Sequence, residues 1–505
     1  LSLTPLCWNK FPLDSIPTDF PLGSLIVLEM QYSGLRQVFK ETKCLSSLKI
    51  LDLSHSHSLT ETTDFSFCPN LEKLIRVDCE GLVDVNGSIG NLERLVYLSM
   101  KDCKNLRMLP EKVFMLKSLE TLIISGCTNL NELSIEMLRN MESLKVLEID
   151  EIPITQLWRG RSSCIWSSLP CSLVNLSVWG CNLSDDTFPR DFSNLSSLRR
   201  LNVGNNPICR LPNCIQGLTR LDELSFSKCT RLKSLVGLPK LHKLHIGGCI
   251  SLEKITYQYF RGISGSTNYV GDNRNLVEWE DEFKVEPIGR VDVDMINLLG
   301  LYNLESMAPI RIRKPFCDAI DRSPVMGLYE YGMFSTFFAG NEVPGRFSHK
   351  SRRSSISFTV TLPDKHRIQA LVVFAVYASS GSDFPCNRST KFQDFGGHMM
   401  SRVRNKSKGL KWYYNPSHYG IPGEGEDMIW LSHWKFQDDH LEGGDRVGVS
   451  VVTPPCFRVK ELGIQIVQEQ EENHNTMIST QNKTFQLRSP VPRQNFSGDY
   501  LPTNI

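Results

Sequence analysis

A nine-residue frame of leucines recurs along the first half of this chain and closes, in six copies, on a cysteine. The frame reads Leu-x-x-Leu-x-apolar-x-x-Cys, and its plainest copy runs from Leu95 through Leu98 and Met100 to Cys103. The closing cysteines are Cys79, Cys103, Cys127, Cys181, Cys229 and Cys249. A thiol that returns at one phase of a leucine repeat predicts a buried structural position rather than a reactive group. Such thiols also favour a reducing compartment.

The frame begins eleven times, and successive copies start 20 to 29 residues apart. The starting leucines are Leu3, Leu25, Leu48, Leu71, Leu95, Leu119, Leu144, Leu173, Leu198, Leu221 and Leu241. Periods in this range are typical of leucine-rich repeats, in which each repeat adds one short strand to a parallel sheet. We therefore predict an α/β leucine-rich-repeat solenoid, a horseshoe of about eleven repeats, over residues 1–260. The longest step carries the insert Trp158–Trp166, for which a partner-contacting loop and drift in repeat length both stay open.

Strand geometry assigns the frame positions to two faces of the sheet. Period-2 alternation turns the fourth and sixth positions inward, and it turns the third, fifth and seventh outward onto the concave face. The closing ninth position stays inside, where Cys, Ser or Asn can donate a hydrogen bond to neighbouring backbone. Arg76 occupies a sixth position that is apolar in the other repeats. We expect it to pair with Asp52 or Asp78, or its strand to be distorted, because an unpaired buried guanidinium is costly.

Beyond Tyr257 the leucine frame stops and the composition changes. We assign 261–333 to a linker and a helix, expected over Val291–Met307, that caps the solenoid. Alternating apolar runs separated by turns predict an all-β sandwich or jelly-roll domain over residues 334–468. Its expected strands are Ile356–Leu362, Ala370–Tyr377, Met428–Trp434, Val447–Val452 and Leu462–Val467. The polar segment 469–505 is expected to form a disordered tail.

Composition and motifs argue against several classes of function. The formal net charge of +1 gives no global attraction to nucleic acid or membrane. The longest apolar run, Ala370–Ala378, is well short of the roughly 18 residues of a membrane span. The sequence contains no phosphate-binding Gly-x-x-x-x-Gly-Lys loop, no Gly-x-Ser-x-Gly elbow and no Cys-x-x-Cys pair. We therefore predict no enzyme activity, catalytic residue, metal site or cofactor, and we assign no role to His55 and His57, which lie where one strand turns.

Three stretches carry a family resemblance. Leu6–Pro17 resembles the first recognisable repeat of plant intracellular immune receptors of the TIR–nucleotide-binding–leucine-rich-repeat class, and Leu48–Ser54 is similarly typical. Phe338–His349 resembles the Pro-Gly-x-Glu-Ile-Pro-x-Trp-Phe-x-His signature of their post-repeat jelly-roll or Ig-like domain, the C-JID. Ala339 and Arg346 depart from that signature, at the usual Pro and Trp. The resemblance covers about residues 1–470.

The resemblance implies a sensing and autoregulatory role in defence rather than chemistry. It implies a pathogen effector protein as the partner, contacts with nucleotide-binding and TIR modules of the same receptor, and a cytoplasmic, possibly nuclear, location. The chain also opens inside a repeat, without the capping unit that a solenoid needs. We therefore expect further sequence upstream, where a full-length relative would carry an NAD-hydrolysing TIR domain.

Two sets of exposed residues are candidates for binding. Outward positions of the repeats combine aromatic anchors with charged groups, as at protein interfaces. The residues expected to contact the partner are Lys73, Ile75, Tyr97, Lys101, Trp179, Arg200 and Lys243. Further along the chain a basic run leads into aromatic residues, a pattern that binds phosphate backbones but also occurs in solvated loops. Its possible phosphate contacts, in an alternative nucleic-acid-binding function, are Arg402, Arg404, Lys406, Lys408 and Lys411.

Overall fold

The protein is described here by a computed structural model that forms two compact units, Leu1–Leu276 and Val277–Ile505. For Thr4, Ile135, Ile165, Ile320 and Asp321 only the backbone is described. The described residues are 4–17, 20, 22–38, 44–60, 64–131, 135–153, 165–257, 273, 275–280, 283–313, 320–361, 368–381, 399–436 and 440–468. Most of the Trp158–Trp166 insert, the proposed linker at 261–268 and the 469–505 tail lie outside them.

The first unit is a stack of short parallel strands. They are β1 (Thr4–Cys7), β2 (Leu25–Glu29), β3 (Ile50–Asp52), β4 (Lys73–Ile75), β5 (Tyr97–Ser99), β6 (Thr121–Ile123), β7 (Val146–Glu148), β8 (Asn175–Ser177), β9 (Arg200–Asn202), β10 (Glu223–Ser225), β11 (Ser234–Leu238), β12 (Lys243–His245) and β13 (Lys254–Tyr257). Strands β1 to β10 and β12 form one parallel sheet in chain order, while β11 pairs in parallel with β13. The predicted repeat solenoid is confirmed.

Seven return segments of the described repeats contain 3-10 helices, where an α/β solenoid leads one to expect α-helices. They are Phe65–Phe67, Gly87–Asn91, Glu111–Met115, Ile135–Asn140, Ile165–Ser168, Asp185–Thr187 and Asn213–Gly217. A 3-10 helix rises about 2 Å per residue against 1.5 Å for an α-helix, so it crosses the back of a short repeat with fewer residues. Their apolar side chains close the core opposite the sheet, as Val113 and Phe114 do with no exposed surface.

The leucines of the frame form continuous columns inside the solenoid. Leu74, Leu98 and Leu122 are direct neighbours across β4, β5 and β6, and each is fully buried. Burying one such side chain contributes roughly 1.5–3 kcal/mol relative to leaving it in water. Because neighbouring repeats share one register, every repeat shields the leucines of the next.

The closing ninth position is buried. In eight repeats its side chain donates a hydrogen bond to the backbone carbonyl of the sixth frame position of the preceding repeat. The pairs are Ser56 with Met30, Cys79 with Leu53, Cys103 with Arg76, Cys127 with Met100, Cys181 with Ile149, Asn206 with Val178, Cys229 with Val203 and Cys249 with Phe226, at 2.9–3.4 Å. Burial raises the pKa of Cys127 and of Cys181 to about 12, so these thiols keep the proton they donate.

Twelve of the described cysteines are free, in agreement with the structural role inferred from the frame. Cys456, in the second unit, is disulfide-bonded and departs from the expectation of reduced thiols. The six cysteines that close the leucine frame are all among the free ones.

The eighth frame position adopts a left-handed backbone conformation in all eleven repeats. The residues are Lys10, Tyr32, His55, Asp78, Asp102, Gly126, Glu151, Gly180, Asn205, Lys228 and Gly248, with φ between +52° and +78°. This conformation turns the chain out of the strand. The amide nitrogen of the same residue still donates to the next repeat, as His55 does to Val77 and Asp78 to Lys101, both at 2.7 Å. Only three of the eleven are glycine, and the others carry a Cβ that makes this conformation unfavourable.

Arg76 fits into the solenoid without distorting its strand. It has no exposed surface, its backbone amide donates to Ser99 at 2.9 Å, and β4 keeps register with both neighbours. The guanidinium carbon lies 5.4 Å from the ring centroid of Phe65, a cation–π contact. Burial lowers the pKa of the guanidinium. The strand distortion considered from the sequence is therefore wrong, and the aromatic ring is a neighbour that the repeat pattern did not indicate.

In its described residues the second unit has antiparallel strands, one short α-helix and two 3-10 helices, Ile288–Arg290 and Leu304–Ser306. Its strands are β14 (Glu278–Trp279), β15 (Phe283–Pro287), β16 (Ile310–Arg313), β17 (Ile320–Ser323), β18 (Met326–Glu330), β19 (Met333–Ala339), β20 (His349–Ser351), β21 (Ser355–Thr359), β22 (Ile368–Ser379), β23 (Met400–Asn405), β24 (Leu410–Tyr414), β25 (Tyr419–Gly420), β26 (Asp427–Lys435), β27 (Arg446–Val452) and β28 (Phe457–Gln468). The sheet orders are β14-β15-β18-β19-β26-β22-β28-β20, β21-β27-β23-β24 and β17-β16-β25. All five strands expected from alternation are present. The first strand of this unit begins at Glu278, whereas the sequence predicted that the β domain would begin at 334.

Strand β22 lies at the centre of the second unit and has nine consecutive buried residues, Ala370 to Ala378. Ile368 is buried as well, and the exposed Gln369 separates it from this run. One face of β22 carries Leu371, Val373 and Tyr377, which share a core with residues of the four-stranded sheet such as Val403 and Val449. The other face carries Val372, Phe374 and Val376, which pack in a second core. The two cores explain why the run reads as continuously apolar.

The helix expected over Val291–Met307 is shorter than predicted. It is the α-helix α1 (Val293–Leu299), which ends where Gly300 takes a left-handed conformation with φ of 57°. Leu299 and Leu304 belong to the second core of the β-rich unit. No helix in the described part of the chain is long and apolar enough to cross a membrane.

The left-handed eighth position generates a stability test. We expect Gly248→Ala to lower the free energy of unfolding by about 1–2 kcal/mol, because an added Cβ would meet only ordinary contacts at 3.5 Å and the loss comes from φ. Gly217→Ala is the matched control, since it has open space and an ordinary φ, and it should be neutral or slightly stabilising. Urea unfolding of both variants measures the difference, and equal stabilities would contradict the strain at position eight.

Candidate functional site on the concave face

The concave face is formed by the third, fifth and seventh frame positions. The structure places all seven sequence-predicted partner-contacting residues on it. Four are exposed and three half-buried: Lys73, Lys101, Arg200 and Lys243, then Ile75, Tyr97 and Trp179. They fall into two groups, one on β4–β5 and one on β8–β12, with β6 and β7 between them. Within the first group Lys73 lies directly beside Tyr97 across the strands.

Two adjoining recesses mark the second group. The larger, with a volume of about 380 Å³, is called the concave recess; it is lined by Glu148, Asn175, Leu176, Ser177, Arg200, Leu201, Asn202, Glu223, Ser225, Ser227 and His245. The smaller, of about 310 Å³, shares Asn175, Arg200 and Glu223 and reaches Lys243. The sequence indicated Arg200 and Lys243. Glu148 and Glu223 were missed because only basic and aromatic residues were chosen as candidates. Both glutamates occupy outward frame positions, which could have identified them.

Glu223 organises the charges of the concave recess. Its carboxylate lies 2.9 Å from Nε2 of His245 and 3.5 Å from Nε of Arg200. Both partners of Glu223 come from neighbouring strands, one on each side of β10. Pairs as exposed as these add little stability, about 0–1 kcal/mol, so their value lies in presenting both signs of charge to a ligand.

A second polar chain connects three repeats along the same face. Asp150 accepts from the Ser177 hydroxyl at 2.5 Å and from the Trp179 backbone amide at 2.8 Å. The Asn202 side-chain amide donates to the Ser177 hydroxyl at 3.0 Å. These bonds hold the end of β8 in place and so position the side chain that follows it.

The Trp179 ring lies against the backbone of Gly204. A Cβ at Gly204 would stand 2.6 Å from Cδ1 of the indole, so glycine leaves room for the ring there. The Lys228 ammonium lies 5.7 Å from the ring centroid, a cation–π contact. A half-buried aromatic ring with such neighbours has the properties of an interface anchor.

Glu148 lies in the concave recess with a raised pKa. Partial burial is the largest cause and Asp150 adds to it, while Lys101 opposes both. The folded state thus holds the Glu148 proton more tightly than the unfolded state, and ionising the carboxyl costs stability. A cationic group of a bound partner would relieve that cost.

The basic run of the second unit is a hairpin, formed by β23, a turn and β24. Arg404 lies opposite Lys411 and Arg402 opposite Tyr413, whose ring centroid is 5.8 Å from the guanidinium carbon. Lys408 is instead bound by Glu442 at 2.8 Å. The Lys406 ammonium donates to Ser357 at 3.2 Å. The structure therefore brings Arg402, Arg404 and Lys411 together on one sheet face and leaves Lys408 neutralised at the turn.

The raised pKa of Glu148 predicts a pH-dependent gain from Glu148→Gln. We expect the variant to melt at a higher temperature than the wild type near pH 7, where the ionised carboxylate is disfavoured in the fold. The gain should fade as the pH falls and vanish below about pH 4, where the carboxyl is protonated in both states. Glu120→Gln is the control, since Glu120 pairs with Lys145 at 2.8 Å, and it should show no such gain. A gain that is constant with pH would contradict this assignment.

Comparison with known proteins gives a consistent set of relatives. The chain is 28% identical to TMV resistance protein N of Nicotiana glutinosa, over 71% of this chain and 37% of that protein. It is 27% identical to disease resistance protein RPS4B of Arabidopsis thaliana, over 94% of this chain and 41% of that protein. The chain thus spans less than half the length of these relatives. No family model matches the sequence.

Solved structures add a weaker likeness. The leucine-rich-repeat ectodomain of the plant membrane receptor kinase GASSHO1/SCHENGEN3 from Arabidopsis thaliana is 21% identical, over 51% of this chain and 36% of that one, with a TM-score of 0.31. The repeat architecture rests on the strands and register of the chain itself. Together with these strands, the comparison shows a leucine-rich-repeat chain that is similar in sequence to TIR–nucleotide-binding–leucine-rich-repeat plant disease resistance proteins over much of its length.

Proposed function

We propose that this chain is the recognition region of a plant immune receptor and that it binds a pathogen protein through the concave face of its repeats. The observation that carries the proposal is the concave recess beside Trp179. An oriented aromatic ring there adjoins a pocket that presents Arg200, Glu223 and His245. Stacked repeats suit extended protein ligands, and anchors of this kind dominate protein interfaces. The role is binding, with no catalytic residue and no cofactor.

The regulatory part of the proposal follows from the relatives. The chain matches only part of each disease resistance protein, so the proposed receptor contains further modules. We propose that the concave face also contacts the nucleotide-binding and TIR modules and that this contact keeps them inactive. Effector binding would then relieve the inhibition. An NAD-hydrolysing activity would belong to the TIR module of a full-length relative. The cytoplasm, or the nucleus, is the proposed location.

The second unit is proposed to be the post-repeat domain of the same receptors. Antiparallel sheets that share a core on one face of β22 support a β-sandwich or jelly-roll architecture of the C-JID type. We propose repeats at 1–260 and a post-repeat domain that ends at 468 and starts near 278 rather than at 334, because five of its strands lie between Glu278 and Glu330. In this proposal the post-repeat domain supplies a second surface for the same partner.

Replacing both aromatic anchors tests the concave site. Tyr97→Ala combined with Trp179→Ala should weaken binding of a recognised pathogen protein by at least tenfold, because interface anchors each contribute about 2 kcal/mol or more. Candidate pathogen proteins would be co-expressed with the chain and scored by co-precipitation, then by titration of the purified pair. Thermal unfolding should change little, since both rings are only half-buried.

The control for this test lies on the opposite side of the solenoid. Met115 ends a 3-10 helix and is 61% exposed, so Met115→Ala removes exposed apolar surface away from the sheet. It should leave binding intact. Binding that survives the double aromatic change but is lost with Met115→Ala would place the partner on the convex face and reject the proposal.

A nucleic-acid-binding function is the second candidate, favoured by the sheet face that carries Arg402, Arg404 and Lys411 beside Tyr413. Two cations lie directly opposite each other across strands, which is unfavourable unless an anion neutralises them. A phosphate backbone with a base stacked on the tyrosine ring fits this arrangement.

The salt dependence of oligonucleotide binding tests the second candidate. For an oligo-dT strand, the slope of log affinity against log salt should fall by about 1.5 when Arg404 and Lys411 are both changed to Ala, since two phosphate contacts are lost. Lys408→Ala should leave the slope unchanged because Glu442 already neutralises Lys408. Equal slopes for all three proteins, or no measurable affinity in the wild type, would exclude this function.

A further inference from the structure

Four metal-ligating side chains meet at one edge of the solenoid, away from the concave recess. His55 and His57 occupy the eighth and tenth frame positions of the third repeat, and Asp78 and Glu80 occupy the same positions of the fourth. Parallel stacking of the repeats brings the two pairs side by side. Among the eleven frames, no other neighbouring pair has four ligating side chains at these positions.

The distances suit shared binding of one ion. A ligand atom of His57, one of Asp78 and one of Glu80 all lie within 4.8 Å of one another. Nε2 of His57 is 3.9 Å from Oδ2 of Asp78, whereas ligand atoms around a tetrahedral Zn²⁺, each about 2.1 Å from it, lie about 3.4 Å apart. His57 and Glu80 are exposed, so small rotamer changes bring their atoms to that spacing.

His55 acts as a positioning residue for Asp78. Its Nδ1 lies 3.0 Å from the same Asp78 oxygen, Oδ2. The Tyr32 ring stacks on the His55 ring, with centroids 4.5 Å apart and planes 6° apart. Carboxylates that ligate a metal are in turn held by hydrogen bonds from outer groups, and His55 is placed to fill that role for Asp78. The left-handed conformation of both His55 and Asp78 directs the two side chains to this edge.

We propose that His57, Asp78 and Glu80 bind a divalent transition-metal ion, with Zn²⁺ as the fitting example, and that the ion clamps the third repeat to the fourth. Imidazole nitrogen and carboxylate oxygen are both ordinary zinc ligands, and three protein ligands leave a position for water. The ion joins residues that are 21 to 23 positions apart in the chain, and it stabilises the solenoid where Arg76 is buried.

Titration of the chelator-treated, desalted full chain with ZnCl₂ tests the site. The wild type should bind one more equivalent of Zn²⁺ than His57→Ala and Glu80→Gln, and its melting temperature should rise by several degrees and return with EDTA. His55→Ala should bind at least tenfold more weakly. Asp102→Asn is the matched control, since it removes a carboxylate at the same frame position one repeat further on, and it should bind like the wild type.

All of these variants retain every cysteine, so zinc held by thiols contributes equally and cancels. In EDTA each should melt within about 2 °C of the wild type, because the changed side chains are at least partly exposed. If His57→Ala proves to be destabilised in EDTA, the zinc stoichiometry of Glu80→Gln decides whether the site exists, because this change preserves the shape of the side chain. Equal zinc stoichiometry and equal thermal shifts in wild type, His57→Ala and Glu80→Gln would overturn the proposal.

Discussion

The hydrogen bond that the closing residue donates, in eight repeats, to the sixth-position carbonyl of the preceding repeat is the interaction on which the solenoid depends. It crosses the buried interior, so it fixes how one repeat is placed on the next as well as how each repeat turns. Leaving a buried carbonyl without a donor costs about 1–3 kcal/mol. Cysteine suits the position because it packs as a small apolar side chain and still offers a weak donor. Cys103 and Cys127 combine full burial with donor distances of 2.9 and 3.0 Å.

A fixed interior leaves the outward positions free to vary, and polar contacts there join neighbouring repeats. His245 reaches Glu223, Ser177 reaches Asp150 and His55 reaches Asp78. The partners are 22, 27 and 23 residues apart in sequence. A site on this protein is therefore assembled from two or more repeats. Motif searches that look for ligands a few residues apart in the chain miss it, which is why His55 and His57 had no apparent role in the sequence.

The sequence predicted the side-chain positions that are set within a single repeat. It did not predict the contacts that form between neighbouring repeats. The leucine columns, the buried ninth position and the outward residues Tyr97 and Trp179 follow from alternation within a single strand. The left-handed eighth position was missed because its residues range from glycine to Lys10 and Tyr32, so no propensity marks it. The role of Glu223 in the recess depends on His245 and Arg200, which lie on the strands at either side of it. The Phe65 ring over Arg76 comes from a return segment, whose path the leucine frame does not specify.

The two candidate binding surfaces differ in charge in a way that separates their ligands. The concave recess holds Glu148 and Glu223 beside its cations, so a polyphosphate would meet repulsion there and a protein surface of mixed charge would not. The hairpin face pairs Arg404 with Lys411 and stacks Arg402 on Tyr413, which favours an anion. The surfaces also belong to different compact units, so each is tested by its own set of variants.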